Sequence, residues 1–361
     1  MMNSKITFLV AILALFLNIA CSSQKQCDEE KRSIRDLVLI YNGGKFRTVT
    51  WDKEHFSAYV ATDATAEKPA EWLFDGFLFL EISYDSQRGF AKNYRANGCR
   101  KVEWIDLIDQ WLTPGLNIMA LDDAISDARE NIGGEYNPRK LVISLPEPLF
   151  AQTDWGEVDG KALDFYYDKD RVAASKWYVD YIIKRIEEAK LKNLELDGFY
   201  WLAEHVIDTH SIVNEVADYV HSKGMDFYWI PYNRGVGRER WAQWGFDHAY
   251  LQPNHFFHLD VPDSRIQDTY DFAVAANMSV EMEFDDRVLE SKGDRRDRLT
   301  AYIDIYEKNG VFNNLDVAYY QEVDTFYKLK HGTENERALY DRLVKLITAR
   351  QKEHYAPTIE K

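Results

Sequence analysis

The sequence has little cysteine and no excess of basic residues, and each shortage excludes a class of protein. Three cysteines in 361 residues cannot build a disulfide framework, so the fold must rely on a hydrophobic core. The 44 basic side chains are outnumbered by 60 acidic ones, for a formal net charge of −16. This argues against a nucleic-acid partner, because phosphate binding needs a basic surface. An apolar content of 46% excludes a disordered or collagen-like chain.

Motifs for several kinds of catalysis are also missing. The sequence has no Gly-x-Ser-x-Gly of a serine hydrolase and no Walker-type phosphate loop. Neither His-x-His nor His-Glu-x-x-His spacing occurs, so a metal-dependent hydrolase is only a third hypothesis, and we expect neither metal nor cofactor. The histidines that keep this hypothesis open are His205, His210, His248, His255 and His258.

Residues 1–20 predict a secretory signal sequence. Lys5 precedes an apolar run over residues 6–17, which is too short to span a bilayer as a stable helix. A small residue, Ala20, stands directly before Cys21, as in the bacterial lipobox, although Asn18 occupies the position where that motif usually has Leu. The alternative is a plain cleaved signal with an incidental cysteine.

The resemblance to a lipobox implies an acylated Cys21 that anchors the protein to a membrane through lipid. Residues 21–33 would then form a polar tether. We therefore expect a lipid-anchored protein of the bacterial cell envelope, in the periplasm or at the cell surface. Pairing of Cys27 with Cys99 in that compartment stays open.

From residue 36 onward, short apolar runs alternate with helical patterns. The runs cover residues 36–41, 72–81, 140–145, 194–201, 225–230, 247–252, 278–284 and 316–320. Apolar residues recur at helical spacing over residues 102–112, 118–131, 173–192, 209–222, 263–276, 295–308 and 334–350.

Strand–helix alternation predicts parallel strands joined by right-handed crossovers. Eight such strands predict an α/β fold, a single (β/α)8 barrel of the TIM type over residues 34–355, with elaborated loops after strands 2 and 3. An open doubly wound sheet is the alternative. It is disfavoured because no Gly-x-Gly-x-x-Gly follows the first strand.

Acidic residues at two strand ends are the candidate catalytic groups. In a parallel barrel the carboxyl ends of all strands converge on one mouth. Glu204 follows the fourth strand, and Glu281 and Glu283 lie two residues apart on the seventh. Because an acid in an apolar strand is costly to bury, this pair predicts a polar interior near the mouth. Glu281 could instead form a buried salt bridge, and Glu204 could be an ordinary acid at a helix start.

Polar and aromatic residues follow most of the other strands, and they suit a ligand rich in hydroxyl groups. The long aromatic loop over residues 150–170 would lie on the same face. The expected substrate-binding residues are Tyr41, Asn42, Glu147, Trp155, Trp201, Tyr232, Asn233, Arg234, Gln252, Asn254, Glu281 and Gln321.

Two resemblances follow from these residues. A Glu after strand four and a Glu on strand seven resemble the retaining glycoside hydrolases of the large (β/α)8 clan, although Ala203 stands where that clan has Asn. This resemblance implies that Glu204 is the general acid/base and Glu283 the nucleophile. The stretches 196–204 (Leu-Asp-Gly-Phe-Tyr-Trp-Leu-Ala-Glu) and 229–233 (Trp-Ile-Pro-Tyr-Asn) resemble domain of unknown function 4855, found in secreted, often lipid-anchored proteins of gut bacteria.

The sequence thus predicts a monomeric glycoside hydrolase that cleaves a poly- or oligosaccharide outside the cytoplasm. A non-catalytic carbohydrate-binding barrel is the main alternative. For the enzyme we expect a raised pKa at Glu204 and an ionised Glu283, held by Arg234, Asn233 or a tyrosine hydroxyl. Glu147 and Asp285 are the next candidates after Glu281.

Overall fold

The computed structural model describes residues 33–134 and 136–355. The predicted signal sequence, the Cys21 anchor, the tether up to residue 32 and Cys27 lie outside the described residues. Within the described ranges, no helix has both the length and the apolar composition needed to cross a membrane.

Eight parallel strands close into a barrel in the order of the chain, and the last strand pairs with the first. This confirms the predicted (β/α)8 barrel, and the open-sheet alternative is wrong. The strands are β1 Asp36–Tyr41, β2 Gly76–Leu80, β3 Arg139–Leu145, β4 Leu194–Trp201, β5 Asp226–Trp229, β6 His248–Leu251, β7 Ser279–Glu283 and β8 Val317–Tyr320.

Helices follow most strands and pack around the barrel. They are α1 Lys53–Val60, α2 Lys101–Trp111, α3 Asn117–Ile132, α4 Asp168–Ala189, α5 Val213–Ser222, α6 Ser264–Ala275, α7 Arg296–Lys308, α8 Val311–Asn314, α9 Thr325–Lys330 and α10 Glu334–His354. A 3-10 helix, Arg238–Trp244, stands between β5 and β6. Helix α1 was not predicted, although its N-cap Asp52 accepts the backbone N–H of His55.

The connections after β2 and β3 are the long ones, as the sequence predicted. The first covers residues 81–138 and contains α2 and α3, and the second covers residues 146–167 before α4 begins. Both carry small strand pairs, one parallel and one antiparallel. Because they follow the carboxyl ends of their strands, these insertions lie at the mouth of the barrel.

Charged residues close the opposite end of the barrel. The guanidinium of Arg350 on α10 lies 3.3 Å from the carboxylate of Asp36 and donates to the backbone carbonyl of Leu315 at 2.8 Å. Asp75 accepts the backbone N–H groups of Arg35 and Asp36 at 3.1 and 2.8 Å. Each buried charge at this end therefore has partners, as burial demands.

Candidate active site

Three carboxyl groups converge at the mouth. Glu281 and Glu283 occupy alternate positions on β7 and are only 2% and 1% exposed, while Glu204, just after β4, keeps partial exposure. Alternate residues of a strand point to the same face, so the two β7 acids share a side. Glu204 raises the pKa of both. The predicted strand-end acids thus form one cluster, here called the acid trio.

Donors from other elements hold Glu283. The Tyr302 hydroxyl on α7 donates to its Oε2, and so does the backbone N–H of His255, at 3.1 Å. The backbone N–H of Asn254 donates as well, from a residue in the left-handed region at φ 51°. Burial outweighs these bonds and raises the pKa of Glu283 to about 7. Of the expected donors, a tyrosine hydroxyl, that of Tyr302, holds Glu283, whereas Arg234 and Asn233 do not. The raised pKa runs against the expectation that Glu283 stays ionised.

Glu281 lies deeper and favours its neutral form. Burial raises its pKa well above the usual value, and the negative charges of Glu283 and Glu204 raise it further. The Tyr306 hydroxyl donates to the backbone carbonyl of Glu281 at 2.7 Å. The charges that act most strongly on this carboxyl are therefore carboxylates, which is the reverse of the salt bridge considered for Glu281.

Glu204 has a different environment. Burial raises its pKa, and a side-chain hydrogen bond from Gln252 partly opposes that shift. Gln252 follows β6, and its Nε2 also donates to the Ile230 carbonyl at 2.7 Å. The structure therefore brings Gln252 to the site, as the sequence predicted. A partly exposed acid with a raised pKa suits proton transfer to a bound ligand.

Tyrosines surround the acid trio. Tyr41 ends β1 and lies edge-on to Tyr320 at the end of β8, with ring centroids 5.5 Å apart. Tyr200 on β4 and Tyr94 in the loop after β2 complete the group. Burial raises the pKa of all four, and the charge of Glu204 contributes at Tyr41, Tyr94 and Tyr200. These side chains offer the mouth both flat rings and hydroxyl groups.

The cations near the mouth are bound to their own carboxylates. Arg47 donates to both oxygens of Glu81 at 2.6 and 3.0 Å, and its guanidinium lies 5.3 Å from the Tyr41 ring centroid. Arg287 is likewise bound to both oxygens of Asp285. Since each pair is internally neutral, neither cation is free to neutralise the acid trio. Asp285, a reserve candidate for catalysis, is engaged in this ion pair.

Glu147 and Ser144 come from the carboxyl end of β3. Glu147 is 8% exposed, accepts the backbone N–H of Lys92 at 2.9 Å and has a pKa raised by burial. Its charge also raises the pKa of Tyr94, so it borders the tyrosines. Ser144 is in register with Tyr200, and its buried hydroxyl has no protein partner. Glu147 and Ser144, three positions apart in the sequence, thus extend the polar lining beyond the acid trio.

Two predicted stacking residues do not reach the ligand face. Trp155 is buried, with its ring centroid 5.2 Å from that of Trp104 and 5.6 Å from that of Phe165. Trp201 is buried against Phe227, because it follows inward-pointing Tyr200 and must point to the opposite face of the strand. The prediction that Trp155 and Trp201 stack on ligand is wrong.

Three polar residues that were predicted to bind substrate make hydrogen bonds to other residues of the protein. The Asn42 side chain donates to Asn117 at 2.6 Å, and that of Asn233 donates to Thr269 on α6 at 2.8 Å. Gln321 is fully buried and bonded on both sides of its amide. The expected role of fully buried Gln321 in binding substrate is therefore wrong, whereas the roles expected of Asn42 and of partly exposed Asn233 stay predictions. Tyr232 and Asn254 keep partial exposure, and Arg234 is exposed.

Sequence reasoning missed Tyr94, Tyr200, Tyr320, Arg47 and Tyr302. For Tyr200 and Tyr320 the signal was the alternation of side chains along a strand, which selects one of two adjacent aromatic residues. For Arg47, Tyr94 and Tyr302 the sequence holds no such signal, since two lie in loops and one on a helix.

Other parts of the surface offer less chemistry. Among the residues that the structure describes, no three His, Cys, Asp or Glu side chains are grouped so as to hold a metal ion. An open cleft of about 490 Å³ lies between α7 and α10, and one of about 340 Å³ lies at the start of β7 and β8. The second cleft lies at the amino ends of the strands, opposite the strand ends that carry the acid trio.

Comparisons with known proteins give a family and a set of distant structures. A family model described as Domain of unknown function (DUF4855) matches residues 36–345. No curated protein matches the chain. A candidate alpha-L-fucosidase from Bacteroides thetaiotaomicron is 13% identical, with a TM-score of 0.44, covering 88% of this chain and 94% of that one.

Two further solved structures are similar at the same level. A mutant tryptophan synthase alpha-subunit from Pyrococcus furiosus is 9% identical, with a TM-score of 0.39, covering 88% of this chain and 97% of that one. The N-terminal domain of a candidate aldolase from Bacteroides vulgatus is 11% identical, with a TM-score of 0.36, covering 89% and 88%. At these values the likenesses carry no argument about activity.

Proposed function

The chain belongs to the DUF4855 family, and we propose that it is a glycoside hydrolase that cleaves a poly- or oligosaccharide with Glu204 and Glu283. The observation that supports this most is the meeting of three carboxyl groups with raised pKa at the mouth of the barrel. Hydrolysis of a glycosidic bond needs one carboxyl that holds a proton and one that gives up its own.

The hydrogen bonds support a division of the two roles. Glu283 accepts from one hydroxyl and two backbone N–H groups, and such bonds favour the charged form. Burial and the neighbouring carboxylates favour the neutral form of Glu281, so we expect Glu283 to be the member of the β7 pair that ionises first. Glu204 keeps solvent contact and a raised pKa, which suits a proton donor to the departing oxygen.

The proposed reaction retains configuration in two steps. A Glu283 oxygen bonds to the anomeric carbon while the glycosidic C–O bond breaks and Glu204 gives its proton to the leaving oxygen. Water then attacks the same carbon, Glu204 takes its proton, and the bond to Glu283 breaks. The tyrosines of the mouth would place the sugar, with ring faces against C–H groups and hydroxyls bonded to hydroxyls.

A panel of aryl glycosides and oligosaccharides tests this proposal. Glu283→Gln and Glu204→Gln should each lower kcat at least about a thousandfold with little change in KM, because each removes a group that acts in the transition state. Exposed Glu187 on α4 gives the control, and Glu187→Gln should leave kcat unchanged. Equal turnover by wild type and Glu283→Gln would refute the role of Glu283.

Leaving-group dependence and stereochemistry separate the two carboxyls. Glu204→Gln should lose far less activity on a nitrophenyl glycoside than on an oligosaccharide, since a good leaving group departs without a proton. Proton NMR of the first product should show the anomeric configuration of the substrate. The opposite anomer would exclude retention and require a water between the two carboxyls.

A non-catalytic carbohydrate-binding barrel is the second candidate. It is favoured by the pKa of Glu283 at about 7, which leaves this carboxyl partly protonated at neutral pH and weak as a nucleophile. For that function, wild type and Glu283→Gln would bind the same glycan with similar affinity, and neither would cleave it.

We also propose that the protein acts outside the cytoplasm as a monomer anchored by lipid on Cys21. The support is the sequence of residues 1–21, with its apolar run and small residue before the cysteine. Wild type should partition into the detergent phase of Triton X-114, and Cys21→Ser should move to the aqueous phase. Equal partitioning of both proteins would count against the anchor.

A further inference from the structure

Three exposed aromatic rings touch one another in the loop region after β3. Phe150, Tyr166 and Tyr167 are 57%, 62% and 53% exposed. The ring centroids of Phe150 and Tyr166 are 5.5 Å apart, and those of Tyr166 and Tyr167 are 5.6 Å apart. Isolated apolar residues on a surface need no explanation, whereas a contiguous apolar patch of roughly 300–600 Å² is often functional. We call these three residues the aromatic platform.

Backbone hydrogen bonds order the segment that carries the aromatic platform. The backbone N–H of Ala151 donates to the Phe165 carbonyl at 3.2 Å, and that of Phe165 donates to the Gln152 carbonyl at 2.9 Å. Beneath the surface, buried Phe165 packs on Trp155. The backbone that carries the rings is therefore ordered before any ligand arrives, which lowers the entropic cost of binding.

The platform also lies close to the mouth. Phe150 follows Glu147 by three residues, so their Cα atoms are at most about 11 Å apart. Glu147 borders the tyrosines around the acid trio. A chain-like ligand that leaves the mouth on the β3 side would meet the exposed rings next.

We propose that the aromatic platform stacks against sugar rings of a glycan whose scissile bond lies at the acid trio. The choice of a glycan rests on the proposed function. Pyranose rings present flat C–H faces that match exposed aromatic faces, while the charged neighbours Asp168 and Lys169 can bond to their hydroxyls. The Lys169 ammonium already lies 5.7 Å from the Tyr167 ring centroid.

The size of the platform favours a glycan over a protein partner. An aromatic side chain offers 150–250 Å² when fully buried, so three rings at about half exposure offer roughly 300–400 Å². A stable protein interface buries about 800 Å² on each partner. The platform is therefore too small for a dimer contact and large enough for a few sugar units.

Affinity gel electrophoresis of the full chain tests the platform. The probes are soluble mixed-linkage glucan, arabinoxylan, galactomannan and pectic galactan, each cast into a native gel. Phe150→Ala and Tyr166→Ala should each weaken binding about two- to tenfold, and the double variant at least about tenfold.

Two controls isolate stacking from general damage. Tyr166→Phe keeps the ring and should bind as wild type does. Val274→Ala removes an apolar side chain that is 46% exposed at the opposite end of the barrel, beside Ser279, and should also bind normally. Thermal unfolding should show all variants folded, because the changed side chains are exposed.

The outcomes distinguish this proposal from the proposed function. If Tyr166→Ala raises KM for a polysaccharide but leaves a nitrophenyl glycoside unaffected, both stand. If wild type binds a polysaccharide without cleaving it and Tyr166→Ala weakens that binding, the platform stands and hydrolysis fails. The platform is overturned if Tyr166→Ala binds as wild type does, or if wild type is retarded by none of the four probes. A wild-type dimer that Tyr166→Ala converts to monomer would also overturn it.

Discussion

Replacing Glu283 with Gln should stabilise the protein relative to wild type at alkaline pH but hardly at acid pH. Burial raises the pKa of Glu283 in the folded state from 4.5 to about 7. Between these values the folded protein holds a proton that the unfolded chain has lost. The buried Glu283 carboxyl therefore costs wild type no stability below pH 4.5. Wild type loses stability as the pH rises from there through about 7, because the folded protein must then ionise a buried group.

The magnitude follows from the size of the shift. A displacement from 4.5 to about 7 corresponds to about 3 kcal/mol, at about 1.4 kcal/mol for each pKa unit. At pH 5 Glu283 is mostly protonated and close to Gln in shape and charge, so the substitution should change the free energy of unfolding little. At pH 8 the variant should be more stable by up to about 3 kcal/mol. Relief of the repulsion on Glu281 acts in the same direction.

Urea unfolding at pH 5 and pH 8 measures both values, with tryptophan fluorescence as the signal. Glu187→Gln is the control, since its exposed carboxylate loses little water on folding, and it should show no such pH-dependent gain. The reasoning about burial would be refuted if Glu283→Gln changed stability equally at both pH values, or if the variant were the less stable protein at pH 8.

Three further substitutions test contacts around the site. Tyr302→Phe removes a donor to Glu283 and should raise the pKa of Glu283 by roughly one to two further units. A carbon-13 NMR titration that finds no shift in the pKa of Glu283 would contradict this. Gln321→Leu leaves buried donors without their acceptor and should cost at least about 2 kcal/mol in urea unfolding. Gly198→Ala would put a Cβ 2.1 Å from the Asp226 carbonyl oxygen and should lower the free energy of unfolding by about 1–3 kcal/mol. A variant with wild-type stability would show that the backbone relaxes freely at this contact.

The strands were predictable because each apolar run ends in a turn signal. Strands β1 and β4 match their predicted limits residue for residue. The second run was predicted over residues 72–81, but β2 is Gly76–Leu80, because Trp72 leaves the run to form an isolated bridge with Ala61. Helix α1 was missed because it has only eight residues, which is shorter than the window of about 11–18 residues over which a helical period shows.

The acids of the site were predictable from strand ends, but their surroundings were not. Glu204, Glu281 and Glu283 occupy positions that a parallel barrel brings to the mouth, whatever the remaining sequence. Their donors come from distant segments, such as Tyr302 on α7, and no local pattern marks them. Composition also cannot tell a buried ring from an exposed one. The same loop buries Trp155 and exposes Tyr166.

The two ends of the barrel differ in how they treat charge, and this difference bears on function. At the closed end, buried Asp36 has the guanidinium of Arg350 as a partner. At the mouth, Glu281 and Glu283 are equally buried, and the strongest neighbouring charges on Glu281 are negative. A fold under selection for stability alone would remove such acids, since burying them without a cation is costly. Their presence at the end where barrel enzymes act therefore supports the proposed role of these acids in proton transfer.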